Sequence, residues 1–301
     1  MLNPFPIIEV TTAMHSSSEV EQLGSKSKFW FKYESANWLF KEARQNTGED
    51  WSEKIASEIA SLLELPTHHT ELAVWEGKRG CAVKSFLTTS ESVLVHGNEL
   101  LGGLLSGYDR DKTHGQADHT FDNIVAVIEK LFPSRKEQRT AALSMVGYLV
   151  LDALVGNTDR HHQNWGVILE NLDLTEQPTT LSIRLAPTFD HASSLGRELT
   201  DSARERHLRE GTIESYILKG KGGIFEHATA KRGMSPIALV KLLAQRYPEL
   251  FKPWQTRVMN LPKETFSNLI ERIPNERISL LGRTFALAFL ASSSNLIRDN
   301  V

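Results

Sequence analysis

The sequence predicts an α+β protein in two lobes. A small mixed sheet-plus-helix lobe covers residues 1–89, and a larger, mainly helical lobe covers residues 90–301. Three observations predict this. Before residue 90, short apolar runs alternate with turn-forming stretches around one amphipathic helix. Beyond residue 98, the apolar spacing lengthens into helical segments. Between the later segments lies a polar loop, GNTDRHHQNWG, at the end of a long apolar run. A cleft between two such lobes is a natural ligand site.

The elements follow in order. Residues 29–32 and 38–41 read as strands, with the turn YESAN (33–37) between them. Residues 50–65 read as a helix, with Ile55, Ile59 and Leu62 beside Ala56 and Leu63 on one face. Asp50 or Ser52 would cap its start and Pro66 would end it. Residues 71–75 and 81–86 are strands flanking the turn EGKRG. The pattern changes at 87–92, the expected lobe boundary. Helices are expected at 121–131, 135–155, 237–246 and 262–272. Gly156 and Asn157 suit a helix stop. Trp165, Val167 and Ile168 resume a strand, closed by Asn171 and Asp173, and a second run over 183–189 ends in Asp190-His191. The most apolar segments, 141–155 and 278–291, are interrupted by Asp152 and Arg283. Both fall short of the ~20 residues a membrane span needs and read as buried core helices.

Composition narrows the class. With 40% apolar and 24% charged residues, the chain is ordinary for a globular protein. A net charge of -3 argues against a broadly basic nucleic-acid binder. The one cysteine, Cys81, excludes an internal disulfide and a four-cysteine zinc cage, and fits a reducing compartment. The start, MLNPFPIIEV, has no basic region and carries Pro4 and Pro6, so no secretory signal is expected and the cytoplasm is the expected location.

The polar loop suits phosphoryl transfer. That chemistry needs a carboxylate to orient the attacking hydroxyl, oxygen ligands for magnesium, and a cation near the non-transferred phosphates. Asp159 can serve as the base, with Asn164 and Asp190 as neutral and charged oxygen donors. The two acids are 31 positions apart, each at the end of an apolar segment. Lys41, at a strand end, can reach phosphates, and Glu53 can hold it in place. Arg160 can touch a phosphate or pair with a nearby acid.

These residues resemble the catalytic region of the HipA-like kinases. The family pattern Gly-Asn-x-Asp-x-His-x-x-Asn is matched by Gly156, Asn157, Asp159, His161 and Asn164, and Ala-Pro-x-x-Asp by Ala186, Pro187 and Asp190. The Asp-Arg-His-x-x-Asn core also resembles the phosphoinositide-kinase loop, and both belong to the wider protein-kinase-like fold. The resemblance implies a serine/threonine kinase using ATP and Mg2+, with Asp159 as catalytic base, Asn164 and Asp190 as magnesium ligands, and Lys41 contacting ATP. Lys32 is the competing lysine, and Glu58 competes with Glu53 as its partner. Asn157 and His161 would support the loop, His161 as a satisfied histidine packed under Asp159. In place of a glycine-rich phosphate loop stands Leu23-Gly24-Ser25-Lys26-Ser27-Lys28. This is similar to the Ser-x-Ser loop of the short HipT-type toxins, which implies Ser25 and Ser27 as autophosphorylation sites beside the nucleotide. The few residues before Gly24 are too short for the extra domain of full-length HipA. The resemblance therefore implies a separate small protein in that role, a DNA-binding antitoxin partner, and an aminoacyl-tRNA synthetase as substrate. No direct nucleic-acid or membrane binding is expected.

Other readings are weaker. A metal hydrolase built on Asp159, His161, His162, Asp190 and His191 lacks a His-x-x-x-His or His-Glu-x-x-His spacing. A lipid or small-molecule kinase of the same fold, or a regulatory pseudokinase, are the alternatives. Lys84 follows the helix rather than preceding it, so its strand is expected to lead to an interlobe hinge. Lys219-Gly220-Lys221-Gly222-Gly223 reads as a solvated basic loop.

Overall fold

The computed structural model describes residues 2–20, 28–87, 89, 91–171, 181–262 and 264–299. Ser25, Ser27 and Asp173 lie outside the described residues. Strands β1 (Ile7–Val10), β2 (His15–Val20), β3 (Lys28–Tyr33) and β4 (Ala36–Glu42) precede helix α1 (Glu49–Leu62), and β5 (Thr70–Trp75) and β6 (Lys78–Lys84) follow it. They form one sheet in the order β1-β5-β6-β4-β3-β2, with β1 parallel to β5 and the other pairs antiparallel. The β3–β4 hairpin closes on Glu34 and Ser35, both with positive φ, as a tight two-residue turn matched to strand twist requires.

The alternation of β4 sets the chemistry of the small lobe. Trp38 and Phe40 point into a compact cluster with Phe29, Phe31, Ala73 and Ala82, and the strand period of two sends Leu39 and Lys41 to the opposite face. Lys32 sits exposed at the hairpin end of β3, in register with Asn37.

Helix α1 starts at Gly48, without a side-chain cap. Neither expected capping residue performs that task. The Asp50 carboxylate binds Arg79 and Arg277, and Ser52 Oγ donates to the Ser194 carbonyl. The helix ends at Leu62, and Glu64 turns the chain with φ +56 before Pro66 is reached. Trp51, Ile55 and Ile59 lie in the same continuous core as the helices of the second lobe. Full burial of each such side chain contributes about 1.5–3 kcal/mol.

The second lobe opens with strand β7 (Val93–His96) and helix α2 (Gly97–Leu104), followed by α3 (Phe121–Leu131) and the long α4 (Arg135–Val155). Ser134 caps α4 in a reciprocal box with Glu137, and Gly156 ends it with φ +71, where a Cβ would lie 2.3 Å from the Phe289 ring. Strand β8 (Gly166–Asn171) lies between β7 and β9 (Leu181–Leu185) and pairs with both in an antiparallel sheet. The helices α5 (Asp201–Glu210), α6 (Ile213–Lys219), α7 (Pro236–Arg246), α8 (Pro248–Met259), α9 (Thr265–Glu271) and α10 (Leu280–Asp299) complete the lobe. By length and composition α10 could cross a membrane, yet Phe285, Ala286, Phe289 and Leu290 are buried in the core against other helices. It is a core helix, as the sequence predicts for 278–291.

Candidate active site

The site is built where α4 ends, where β9 ends and where β4 presents its cleft face. After Gly156, the chain is held by side chains rather than by a ladder. Asn157 uses both ends of its amide: Nδ2 donates to Asp152 Oδ1 at 2.8 Å, and Oδ1 accepts from the Asp159 backbone at 3.1 Å. Asn164 Nδ2 donates to the Asp159 carbonyl at 2.8 Å, which leaves Oδ1 as the acceptor that side chain can offer a ligand.

Beneath this loop lies a buried ion pair. Arg160 and Asp152, each about 3% exposed, meet through two bonds of 2.8 Å. The remaining guanidinium donors go to the carbonyls of Asn164 and Phe189 and to Thr188 Oγ1. Of the two roles the sequence offers Arg160, a phosphate contact and the pairing of a nearby acid, the structure shows the second, with its donors spent on the fold rather than turned to the cleft. A buried aspartate in the apolar α4 requires a buried cation, and Arg160 is that cation. It ties the 159–164 loop to the turn that carries Asp190.

Of the two adjacent histidines, His161, expected as a satisfied histidine packed under Asp159, is the less buried. His162 is the buried one, hydrogen-bonded through Nδ1 to the Tyr108 hydroxyl at 2.7 Å, and burial pushes its pKa down to about 4. His161 is half-buried, lines the interlobe cleft, and accepts the Gln163 amide on Nδ1.

Lys41 Nζ lies 2.5 Å from Asp190 Oδ1 and 3.7 Å from Glu53 Oε2. Glu58 instead bonds Lys54 at 2.6 Å, so Glu53 is the acid beside Lys41. Burial opposes the charge on Lys41, but the Asp190 and Glu53 carboxylates outweigh it and hold its pKa well above the ordinary lysine range. Asp190 is held below the usual carboxylate range, first by the Lys41 ammonium. Its backbone sits in the left-handed region, φ +61, which is uncommon for a residue other than glycine. This conformation turns the side chain toward Lys41, and the next amide, of His191, donates to Glu53 Oε1 at 3.0 Å.

Sequence reasoning missed the frame around Glu53. This fully buried carboxylate meets His68 Nε2 at 3.0 Å and His191 Nδ1 at 3.5 Å, with the two imidazoles stacked at 5.3 Å. Thr188 joins them, its hydroxyl 2.8 Å from His191 Nε2 and its carbonyl 2.9 Å from His68 Nδ1. Burial pushes the Glu53 pKa up, but Lys41, His191 and His68 together bring it well below the ordinary glutamate value. The signal for His191 was its place after Asp190; His68, between Pro66 and β5, carried none.

The cleft between the lobes holds about 900 Å3 and is bordered by Lys28, Leu39, Lys41, Phe86, Asn164 and Asp190. Lys84, Ser85, Phe86 and Leu87 form one edge. A smaller recess of about 220 Å3 joins Lys41 and Asp190 to Asp159 and Ser193. Ser193 Oγ lies 3.5 Å from Asp159 Oδ2. Lys41 and Asp190 thus border both spaces, with Asn164 on the cleft, Asp159 on the recess, and the buried Glu53 behind Lys41. The Asp190 side chain is 42% exposed there and already has a cation, the Lys41 ammonium, on one oxygen. Its second oxygen and Asn164 Oδ1 are hard donors of the kind magnesium takes.

A two-lobed, kinase-like fold with acids and a lysine around its cleft is the class these features define. The HipA-like C-terminal domain family matches residues 20–237, and the chain belongs to that family. The Helicobacter pylori proinflammatory kinase CtkA superposes with a TM-score of 0.78 at 19% identity, over 98% of both chains. HipA of Shewanella oneidensis, solved in a toxin–antitoxin complex with HipB and operator DNA, superposes with a TM-score of 0.57 at 10% identity, over 96% of this chain and 66% of that one. No curated protein matches the chain by sequence.

Proposed function

We propose that the chain is a magnesium- and ATP-dependent protein kinase acting on serine or threonine hydroxyls. One observation carries this reading: Lys41, clamped between Asp190 and Glu53, opens onto the same recess as Asp159. Lys41 binds the non-transferred phosphates. Asp159 accepts the proton of the attacking hydroxyl as its oxygen bonds to the γ-phosphorus. The bond from that phosphorus to the β–γ bridging oxygen breaks, and ADP leaves. Magnesium held by Asp190 and Asn164 would neutralise charge on the phosphates. Glu53, fixed by His68 and the His191 amide, keeps Lys41 facing the cleft. Arg160 keeps the loop and the Asp190 turn in mutual register.

The family resemblance supports a finer reading. The chain would be the toxin of a toxin–antitoxin pair in the cytoplasm. It would self-phosphorylate Ser25 and Ser27, act on an aminoacyl-tRNA synthetase, and associate with a small protein resembling the N-terminal subdomain of full-length HipA and with a DNA-binding antitoxin. The lobe division would fall at 89/90.

The test is the intact mass of the wild type and Asp159→Asn after incubation with ATP and magnesium, with phosphosites mapped. The expected result is phosphate addition to the wild type at Ser25 or Ser27 and none to the variant, with nucleotide binding retained in part. Equal modification of both proteins refutes the role of Asp159. A wild type neither already modified nor modifiable refutes self-phosphorylation.

A further inference from the structure

We propose that Ser193 is a built-in acceptor: the chain transfers a phosphoryl group from ATP to its own Ser193 hydroxyl, and the phosphoserine then closes the site to nucleotide. The inference rests on the kinase reading above and adds a modification site to it. In-line transfer needs the attacking oxygen on the side of the γ-phosphorus opposite the departing ADP. Lys41 and Asp190 border both the 900 Å3 cleft and the 220 Å3 recess, so a γ-phosphate held at that pair has the nucleotide on one side and the recess on the other. Among the described residues, Ser193 carries the one hydroxyl in the recess lining. That hydroxyl donates to Asp159 Oδ2 at 3.5 Å, a little beyond the roughly 2.6–3.2 Å over which a general base takes a proton. Ser193 thus stands where the acceptor hydroxyl of a substrate would stand.

The loop that carries Ser193 is fixed on both sides. The His191 amide donates to Glu53 Oε1 at 3.0 Å, and Ser194 Oγ donates to the His191 carbonyl at 2.7 Å. The Leu195 amide donates to the Val155 carbonyl at 2.9 Å, at the end of α4. The Ser194 carbonyl accepts from Ser52 Oγ at 3.1 Å, so α1 holds the same loop from the small lobe. Leu195 and Gly196 both have positive φ, which reverses the chain directly after the serines. The two adjacent hydroxyls differ in what they can do. Ser194 is buried and its hydroxyl is spent on His191, whereas Ser193 is half-buried and its hydroxyl meets Asp159. A hydroxyl anchored this way meets the γ-phosphate bound by the same molecule, with no second chain needed.

In the transfer, the bond from Ser193 Oγ to the γ-phosphorus forms. The bond from that phosphorus to the β–γ bridging oxygen breaks, its electron pair leaving on ADP, and the hydroxyl proton passes to Asp159 Oδ2. The product brings a charge of about -1.5 to -2 into a recess whose charges are already paired. Glu49 is shared by Arg44 and Arg197, Asp50 is held by Arg79 and Arg277, and Lys41 lies between Asp190 and Glu53. Arg44, 62% exposed and 3.7 Å from Glu49, is the cation able to turn toward the new phosphate. The carboxylates of Asp159 and Asp190 remain beside it, so the phosphoserine takes the place of the γ-phosphate and repels the triphosphate of a second ATP.

The experiment uses the full chain as Ser25→Ala/Ser27→Ala, with MgATP and phosphosites mapped before and after incubation. Isotopically heavy Asp159→Asn chain is mixed in as an acceptor that cannot modify itself. Phosphate should appear on Ser193 of the light chain, with a first-order rate constant unchanged over about a hundredfold dilution, and the heavy chain should stay bare at Ser193. If the light chain arrives already modified there, Asp159→Asn from the same host should be bare. The modified chain should bind ATP at least about tenfold more weakly, by calorimetric titration, than the chain that also carries Ser193→Ala. Transfer to casein, or to Ser25 or Ser27 of the wild type, with Ser193 bare in every chain overturns the acceptor role and leaves the kinase reading intact. Phosphate on Ser193 of the heavy chain, or a rate constant that rises with concentration, shows transfer between molecules and overturns the built-in acceptor. Undiminished ATP affinity in the modified chain overturns the closure of the site. No transfer to any hydroxyl, in a protein that arrives unmodified, counts against the kinase reading itself.

Discussion

Replacing Asp152 by alanine tests the structural logic of the site without touching any group proposed to meet substrate. Asp152 and Arg160 lie 2.8 Å apart in the interior. At an effective dielectric near 20, their attraction is about 6 kcal/mol. Desolvation of both ions offsets most of that in the intact pair. In Asp152→Ala the attraction is gone, but the guanidinium stays buried, because its other donors remain bonded to Asn164, Phe189 and Thr188. An uncompensated buried charge of this kind costs about 3–5 kcal/mol. Asn157 Nδ2 also loses its acceptor, a further loss of about 1 kcal/mol. Urea denaturation followed by far-ultraviolet circular dichroism should record that loss, and the melting temperature should fall by roughly 6–15 °C. Arg160→Ala and the double variant complete a cycle whose coupling should reach at least about 1.5 kcal/mol. A loss below about 1 kcal/mol for Asp152→Ala, or additive single effects, would refute the claim that this pair organises the loop.

Two further outcomes follow from the clamp on Lys41. Asp190→Asn should weaken magnesium–ATP binding about tenfold by calorimetric titration, with a smaller effect on ATP in the presence of EDTA; equal affinities would remove Asp190 from the metal site. The second outcome concerns pH. The Glu53 carboxyl is depressed below its ordinary value of 4.5 by its partners. Its stabilisation is therefore complete above that value and is lost as pH falls through the lower, folded value. Urea midpoints should fall more steeply below pH 4.5 in the wild type than in Glu53→Gln, and parallel profiles would show that Glu53 contributes nothing to the acid transition.

Much of this arrangement can be read from the chain where the signals are local. The helices at roughly 121–131 and 135–155 were expected close to their observed bounds, because apolar spacing and Gly156 lie within a few residues of the ends they specify. Strand β1 was not expected. It is four residues long, follows two prolines, and owes its existence to pairing with β5 more than 60 positions away. Helix α5 was also missed: among its residues only Arg204 is buried, so it has no apolar stripe to detect. Lys41, Glu53, Asp159, Asn164 and Asp190 were identified because phosphoryl transfer needs those residue types, and the fold brings them together. For Arg160 a phosphate contact and an acid partner both stayed open, because a charged residue in a polar loop gives no sign of being buried. The available clue was Asp152, an acid inside an apolar helix, which needs a partner nearby. His68 and Thr188 acquire their place beside Glu53 only through tertiary contact.

Helix α1 belongs to the packing of both lobes. It presents Glu53 to Lys41, inserts Trp51, Ile55 and Ile59 into the large core, and is pinned through Asp50 by Arg277 from the C-terminal part of the chain. To swing this helix away would mean stripping a hydrophobic face and exposing a buried carboxylate at once, a change beyond the few kcal/mol that a bound effector typically contributes. Completion of the fold and assembly of the lysine clamp are then one event. The lysine clamp thus needs no separate step after folding to take its place at the cleft.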